Sequence, residues 1–401
     1  MKHRLWIAAL CATGLSITAC TAKTPAGNAD PGASSAGVTA TTITLGTSNA
    51  LTGPVAAVCL PTSAGASAWF QHVNADGGVN GRKIQDTVLD DGYQAPRAAA
   101  NLRTFQSDNV FALFGGCGTI TAAVIANAVK GTGLPYLFPY AALPALVHPA
   151  QPNVYALLPL YNDQARSLVP YVLHRYGRGS VYAVTSEIPG YQADVDGVMA
   201  GTSAGGGAFS GSALLPSVNA PAQQAALKLG SAHPDYAMLT VLAPDAARLL
   251  NAMAAAGTVP RKAVLGVSVL ASEAFASALT PSVAALLRTA SPTVPPSDAR
   301  AAECLAALRQ YSPGTTPDAL ALYGCAAAQV FVAALKAAGT QPTRAKLEAA
   351  LNAIHNAQAS PLLPPVSFSA ADHMGLHSMF LLTLHDGRFT AAGTLPITAL
   401  G

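Results

Sequence analysis

Residues 43–91 are predicted to form a strand, a loop, a helix, a turn and a second strand, and no other stretch constrains the fold as strongly. The first β-rich run leads into a loop of Ser, Asn, Thr, Gly and Pro, and apolar residues at helical spacing follow from residue 63. Asn, Asp and Gly at 74–81 end the helix, because these residue types accept positive φ. Such a βαβ unit predicts an α/β sheet that binds ligands at the carboxyl ends of its strands.

Three short motifs in this stretch occur in an order that is typical of one family. They are LTGP at 51–54, GGVNGR at 77–82 and the acidic pair at 90–91. Together they resemble the opening of the branched-chain amino acid binding family, the type I periplasmic solute-binding proteins of ABC transporters. The resemblance runs from residue 43 nearly to the end of the chain and is strongest up to residue 150. It implies two doubly wound α/β lobes joined by three crossings, with a ligand cleft between them as in a clamshell.

The alternation of strands and helices after residue 91 predicts where the chain crosses between lobes. We expect lobe 1 to comprise residues 42–158 and 271–360, and lobe 2 to comprise 159–270 and 361–401. Helices are predicted at 272–280, 297–311 and 317–338, all returning to lobe 1, and a terminal β-hairpin is predicted from residue 378 onward.

The N-terminus has the features of an export signal. Basic residues at 2–4 precede an apolar run at 5–17 that is too short to span a membrane, and ITAC at 17–20 matches a lipobox. We expect a signal peptide at 1–19, a lipidated Cys20, and a flexible tether at 20–41, rich in Ala, Gly, Ser, Thr and Pro. The alternative is an ordinary secretory signal cut after Ala19. The lipobox predicts an exported protein anchored by lipid to a membrane, in the periplasm or at the cell surface.

Composition excludes several classes of partner. The net charge is +3 and no basic run is present, so nucleic acid is not expected to bind. Hydrophobic residues make up 51% of the chain, but much of that is alanine. Residues 319–335 approach the length of a membrane span, yet Gly324, Gln329 and many alanines favour a buried helix instead.

Four cysteines remain once Cys11 leaves with the signal and Cys20 carries lipid. Outside the cytoplasm they permit three disulfide pairings. We expect Cys59 with Cys117, which both follow strands of the first lobe, and Cys304 with Cys325, on successive helices. A zinc site is the rival interpretation, but its ligand spacings are missing, so neither a metal nor a cofactor is predicted.

The ligand is expected to contact loops at the carboxyl ends of strands. A glycine turn at 115–119 opens a helix whose N–H groups can hold an anionic or carbonyl oxygen. The alternative is a tight strand-to-helix connection without a ligand, and the resemblance, which places a ligand loop here, favours the site. The resemblance adds further loop positions in both lobes. The expected ligand-binding residues are Asn49, Val58, Gly116, Cys117, Gly118, Thr119, Tyr140, Ala141, Ala142, Tyr191 and Ser268.

Several of these positions depart from the pattern of the family. Its ligand loop carries Ser and Thr where this chain has Tyr140 and Ala142, and its acidic residue is replaced by Ser268. Val58 stands where the family often has an aromatic ring. Because unpaired charge in a dry cleft is costly, these changes predict a neutral or largely apolar ligand, such as an aromatic acid, an amide or a lipid-like molecule.

The resemblance implies a solute receptor that delivers a small molecule to the permease subunits of an ABC importer, acting as a monomer by hinge closure. A sensory protein on the same fold, signalling to a partner protein, is the alternative. A conventional amino acid binder is a further alternative if Thr119 or the glycine turn binds the ligand charges.

Residues that match catalytic or metal-binding motifs are better explained by ordinary structural roles. GTSAG at 201–205 satisfies G-x-S-x-G but follows a helix rather than a strand. His373 and His377 are expected in a solvated loop rather than at a metal, and the acidic pair at 90–91 is expected to cap a turn rather than transfer protons. No phosphate-binding or dinucleotide motif is present. No enzymatic activity is predicted.

Overall fold

The computed structural model describes residues 35–188, 190–216 and 222–398, which belong to one compact unit. The predicted signal peptide, Cys20 and the tether up to residue 34 lie outside these ranges. The end of the predicted tether is part of the fold. Val38 is buried, and the carbonyl of Gly37 accepts a hydrogen bond from the N–H of Thr44 at 2.8 Å.

Lobe 1 is built on a five-stranded parallel sheet with the order β2-β1-β3-β4-β5. Its elements in chain order are β1 (Thr42–Asn49), α1 (Ala56–Ala75), β2 (Lys83–Asp90), α2 (Ala95–Ser107), β3 (Ala112–Phe114), α3 (Thr119–Val129), β4 (Tyr136–Leu137) and β5 (Val154–Tyr155). The predicted βαβ unit is present, and α1 begins at Ala56, earlier than the sequence periodicity indicated.

Lobe 2 is built on a seven-stranded mixed sheet with the order β12-β11-β10-β9-β8-β6-β7. The elements from the first crossing onward are α4 (Tyr161–Tyr176), β6 (Ser180–Ser186), α5 (Tyr191–Ala204), β7 (Ala208–Leu215), α6 (Gln223–Ala232), β8 (Tyr236–Thr240), α7 (Ala243–Ala256), β9 (Ala263–Gly266), α8 (Glu273–Ser277), α9 (Pro281–Ala284) and β10 (Leu287–Ser291). Doubly wound α/β architecture in two lobes confirms the predicted fold class.

The remaining elements return to lobe 1 and then complete the second sheet. They are α10 (Ala302–Tyr311), α11 (Ala319–Ala337), α12 (Arg344–Asn352), β11 (Ser378–His385) and β12 (Arg388–Pro396). The predicted terminal hairpin is confirmed, and its turn uses positive φ at Asp386 (48°) and Gly387 (75°).

The second and third crossings lie later in the chain than predicted. The segment at 272–280 was expected to be a helix of lobe 1, but β10 follows it and pairs with β9 and β11 in the second sheet. The boundary at 270/271 is therefore wrong, and the chain leaves lobe 2 after Ser291. The boundary at 360/361 is also early, because Val366 and Met374 still bridge to loops next to lobe 1 before β11 begins. The sequence of β10, LRTAS, carries no alternating pattern that could have predicted a strand.

Helix α11 is the core helix of lobe 1. It is long and apolar enough to cross a membrane, but 89% of its apolar window is buried within the protein, as expected for a core helix. It crosses α1 at two glycines, Gly65 and Gly324, where a Cβ would overlap the backbone of the opposite helix. This close approach holds α1 and α11 together over the face of the first sheet.

Candidate ligand-binding cleft

The carboxyl ends of both sheets face each other, and the space between them forms the central cavity. It consists of two adjoining chambers that share Tyr93, Thr119, Tyr161, Leu242 and Val269. Lobe 1 contributes the loops after β1, β2 and β3, and lobe 2 contributes those after β6, β8 and β9. In each chamber, the volume open to the centre of a water molecule is about 20 Å³. The two lobes therefore stand close together at this point.

Tyr93 reaches the cavity from a tight turn at the end of β2. The carboxylate of Asp91 accepts hydrogen bonds from the N–H of Tyr93 and the hydroxyl of Ser48, both at 2.8 Å. This turn holds Tyr93 at φ 63°, with its ring against Gly118, where a Cβ would come within 2.8 Å of the ring. The pair Asp90 and Asp91 thus shapes a turn, as the sequence predicted.

The hydroxyl of Tyr93 lies at the N-terminus of α3. Burial raises the pKa of Tyr93 to about 12, although a hydrogen bond from the backbone N–H of Ile120 opposes this shift. The helix end that was predicted to hold an oxygen of the ligand therefore already has a phenolic oxygen of the protein as a partner.

A disulfide forms part of the cavity wall. Cys59 in α1 and Cys117 before α3 are bonded, with Cα atoms 5.3 Å apart, and both line the central cavity. The side-chain amide of Asn49 donates to the carbonyl of Cys59 at 3.0 Å, which fixes this wall to the end of β1. The structure also joins Cys304 to Cys325, between α10 and α11.

Tyr140 forms the floor of the cavity on the lobe 1 side. Its N–H donates to the carbonyl of Gly116 at 2.8 Å, and its ring packs edge-on against Tyr323 with centroids 4.8 Å apart. Burial raises its pKa far above the ordinary value, and the Ser268 side chain of lobe 2 partly opposes this shift. Tyr140 and Ser268 are thus brought together from opposite lobes.

Lobe 2 presents mainly aliphatic side chains and hydroxyls to the cavity. They are Ser186, Ile188, Thr240, Val241, Leu242, Val267 and Val269. Among the described residues that line the central cavity, none has a charged side chain. Asp194 lies behind Thr185, whose hydroxyl is 3.4 Å from its carboxylate, and burial raises the pKa of Asp194 to about 7.

The structure places the predicted ligand residues in two groups. Val58, Cys117, Gly118, Thr119 and Tyr140 line the central cavity. The others stand outside its lining: Asn49 supports the disulfide, Ala141 and Ala142 are buried behind Tyr140, Tyr191 begins α5, Ser268 is buried beside Tyr140, and Gly116 faces a different cavity inside lobe 1.

Sequence reasoning missed Tyr93, Tyr161, Leu242 and Val269. Two of these could have been found from their positions. Tyr93 follows the acidic pair that ends β2, and Leu242 follows the last residues of β8, so both lie at the ligand-binding edge of a sheet. Tyr161 and Val269 belong to a lobe crossing and a short 3₁₀ turn, which no local pattern marks.

An outer cavity adjoins the central one at Val58. The volume open to the centre of a water molecule is about 260 Å³ in this cavity. Its lining residues are Ala57, Val58, Ala243, Pro244, Ala247, Ser272, Ala274, Phe275, Ala278, Asp318 and Leu320. The carboxylate of Asp318 caps α11 by accepting from the N–H of Ala321 at 2.8 Å. The lining is otherwise almost wholly apolar, and it comes from both lobes.

The rejected motifs do not form a catalytic or metal site in the described part of the chain. Residues 201–205 end helix α5 and form no strand-to-helix elbow. No cluster of three metal-binding side chains occurs among the described residues. The prediction of a solvated loop at His373 was wrong, because this side chain is buried and stacks on Tyr155 with centroids 4.0 Å apart.

Comparisons with known proteins agree with this architecture. Residues 42–388 match the family described as periplasmic binding protein. A search of curated protein sequences gave no significant match. Among solved structures, a fatty acid ABC transporter substrate-binding protein from Thermomonospora curvata aligns with a TM-score of 0.80 and 21% identity, covering 91% of this chain and 95% of that one.

Two further structures align over similar lengths. A solute-binding protein of an ABC transporter from R. palustris, in complex with benzoate, has a TM-score of 0.76 and 22% identity, covering 89% of this chain and 98% of that one. A branched-chain amino acid ABC transporter protein from Thermus thermophilus, with bound valine, has a TM-score of 0.78 and 17% identity, covering 89% and 97%. At these identities the likeness establishes the fold alone.

Proposed function

Because the chain belongs to the periplasmic binding protein family, we propose that it is the extracytoplasmic solute receptor of an ABC importer and hands a small molecule to the permease. Solved structures with the same fold include a fatty acid ABC transporter substrate-binding protein and transporter proteins in complex with benzoate or with bound valine. Two lobes joined by crossings can close on a ligand, and closure is the signal that a permease would recognise.

The ligand is neutral or largely apolar. The observation that carries this proposal is the absence of charged side chains among the described residues lining the central cavity. An amino acid zwitterion would lose water from both of its charges on closure, and it would find tyrosines, valines and hydroxyls in exchange. Desolvating a charge without a partner costs several kcal/mol at least, so such ligands are rejected.

One hydroxyl group provides a polar contact in this apolar setting. The side-chain oxygen of Ser186 is buried and has no hydrogen-bond partner among the described residues. Ser186 lines the central cavity. Buried hydroxyls normally find partners, so a ligand with a hydroxyl, amide or carbonyl group would satisfy it.

The outer cavity accommodates the apolar bulk of the ligand. Its space of about 260 Å³ adjoins the central cavity at Val58, whereas the central chambers as they stand accept only water-sized groups. A ligand longer than a single ring would therefore lie with its hydrocarbon part between α1 and α7. Its polar group would point toward Tyr93 and Ser186.

Attachment to a membrane through Cys20 belongs to the same proposal. The basic residues at 2–4, the apolar run at 5–17 and the ITAC sequence support it. A Cys20→Ser variant is expected to appear in the soluble fraction, whereas the wild type sediments with membranes and incorporates labelled fatty acid. Equal labelling of both would contradict lipidation at Cys20.

A ligand screen tests the receptor proposal. Protein beginning at Thr21 is heated with amino acids, amides, aromatic acids, alcohols and fatty acids, and hits are measured by titration calorimetry. A ligand at a hundredfold excess over its Kd stabilises the folded state by about 2.7 kcal/mol, which is readily detected. We expect stabilisation by uncharged apolar compounds. Stabilisation by leucine or valine alone would overturn the proposed ligand class.

A further inference from the structure

An inner cavity lies inside lobe 1, beneath helices α1 and α11 and next to the central cavity. Tyr140 lines both cavities and separates them. In the inner cavity, the volume open to the centre of a water molecule is about 20 Å³. One water needs about 10–15 Å³ on this measure, so the cavity accepts a group of the size of a water molecule or an ammonium ion.

One carboxyl group, that of Asp86 in β2, forms part of the wall. The hydrogen bonds of the described residues give it a single donor, the Thr47 hydroxyl, at 2.9 and 3.0 Å from its two oxygens. Among the described residues that line the cavity with it, none is a lysine, arginine or histidine. Burial raises the pKa of Asp86 to about 7, because nothing positive compensates the carboxylate.

Three other hydroxyls that line this wall lie within hydrogen-bond distance of carbonyl groups. The Thr47 hydroxyl is also 2.7 Å from the carbonyl of Phe114, and the Thr62 hydroxyl donates to the carbonyl of Cys59 at 2.8 Å. The Tyr323 hydroxyl donates to the carbonyl of Pro139 at 3.2 Å. Each hydroxyl has one proton, so these oxygens keep lone pairs that can accept, and the hydroxyl of Ser63 can donate or accept. A guest that donates hydrogen bonds therefore matches the carboxylate and the hydroxyl oxygens of this wall.

Aromatic rings complete the enclosure. Phe114, Phe138, Tyr140 and Tyr323 all line the inner cavity. A cation near the faces of such rings is attracted by their quadrupoles. A carboxylate, hydroxyl lone pairs and aromatic rings together form an environment that suits a small organic cation bearing N–H groups.

We propose that the inner cavity is a binding site for a protonated amine, which pairs with Asp86 and donates to the hydroxyl oxygens of Thr47 and Thr62. The ammonium group comes either as a free ion or as the end of a ligand whose body lies in the central cavity beyond Tyr140. A free ion at this site leaves the proposed ligand class unchanged, whereas an ammonium group on a cleft ligand would replace the uncharged ligand proposed above.

Ammonium and methylammonium chlorides test this site directly. Their effects on thermal stability at pH 8 are compared with those of sodium and tetramethylammonium chlorides at equal ionic strength, in phosphate buffer. We expect selective stabilisation by the two small ammonium ions and at least tenfold weaker affinity in Asp86→Asn. Asp108→Asn, which changes an exposed carboxylate of the same lobe, should retain wild-type affinity. Equal effects of all four salts, or full affinity in Asp86→Asn, would overturn the proposal.

A second measurement needs no variant. The titratable groups lining the inner cavity with Asp86 are Tyr140 and Tyr323, and burial raises the pKa of both tyrosines far above neutrality. Asp86 alone then ionises between pH 6 and pH 8. Methylammonium affinity should rise about tenfold over this range, in line with the ionised fraction of a group of pKa about 7. An affinity that is independent of pH would contradict pairing with Asp86.

Benzylamine and benzyl alcohol distinguish the two sources of the ammonium group. If the group is the end of a cleft ligand, benzylamine binds more tightly than methylammonium, and both Asp86→Asn and the uncharged Leu242→Asn weaken it. If the ion binds alone, methylammonium is at least as good and Leu242→Asn has no effect on it. Binding of benzyl alcohol at equal strength to benzylamine would contradict a role for the charge.

Discussion

The central and inner cavities share one tyrosine but offer opposite chemistry on its two sides. On the cleft side of Tyr140, the described lining has no charged side chain, and hydroxyls and aliphatic groups predominate. On the inner side, Asp86 faces a space lined by hydroxyl oxygens and aromatic rings. The difference indicates that the protein has a half-buried carboxylate next to its central cavity, on the other side of the Tyr140 ring.

The two environments arise from the same short stretch of sequence. The end of β1 directs Thr47 beneath α1, where it meets Asp86, while Ser48 points the other way and hydrogen-bonds Asp91 below Tyr93. Alternation along one strand therefore serves both cavities. A substitution at the inner cavity should therefore leave ligand binding in the central cavity unchanged, and a substitution at the central cavity should leave the inner cavity unchanged.

The largest effect is expected for Asp86→Asn, as a change in the pH dependence of stability. Burial raises the pKa of Asp86 from 3.8 to about 7, so the folded protein keeps a proton that the unfolded chain releases. Wild-type stability therefore falls between about pH 4 and pH 7, by up to about 4 kcal/mol for this group. The variant lacks this fall.

Urea unfolding of both proteins at several pH values, in buffers without amines, measures this effect. Contributions of other groups cancel in the difference between the two free energies of unfolding. That difference should move in favour of Asp86→Asn as pH rises through the window and level off above about pH 8. A difference that stays constant from pH 4 to pH 8 would mean that Asp86 is not buried as described.

A smaller effect is expected when a charge is placed on the cleft side. Leu242→Asp introduces a carboxylate that an apolar ligand would desolvate, and affinity should fall about a hundredfold, or about 2.7 kcal/mol. Leu227→Asp is the matched control, because Leu227 is 72% exposed. Calorimetry with the best apolar ligand measures both. Similar losses in the two variants would argue against a cleft that selects by charge.

The smallest effect concerns the hydroxyl of Ser186 in the central cavity. Ser186→Ala should weaken amide or alcohol ligands by about 0.5–1.5 kcal/mol, roughly three- to tenfold, because one hydrogen bond is lost. A ligand without polar groups should be unaffected. Ser231→Ala, at an exposed site in α6, serves as the control. An equal loss of affinity for polar and apolar ligands would show that the Ser186 hydroxyl does not bind the ligand.

Much of the fold could be predicted from sequence, because it depends on local signals. Local sequence patterns strongly favour one structure in three places: the βαβ unit at 43–91, the buried helix at 319–335 and the turn at Asp386 and Gly387. The short strand β10 has no such signal, since its place in the sheet depends on neighbours distant in sequence. Lobe boundaries were misplaced for this reason.

The site could be predicted only in part. The glycine turn at the end of a strand identified Thr119, because all parallel strands end at the same edge of a sheet, and the family resemblance identified Tyr140. Asp86 could not be identified, since a charged residue within an edge strand normally faces solvent. Only the packing of α1 and α11 over the sheet places its side chain in a cavity.

We propose that the cleft accepts apolar, uncharged ligands and rejects zwitterions. The most direct measurement is the affinity of matched pairs that share a side chain, such as phenylalanine with 3-phenylpropanamide and leucine with 4-methylpentanamide. We expect at least a hundredfold preference for the amide in any pair that binds, because no charged side chain lines the described central cavity. Equal or tighter binding of the amino acid would contradict it.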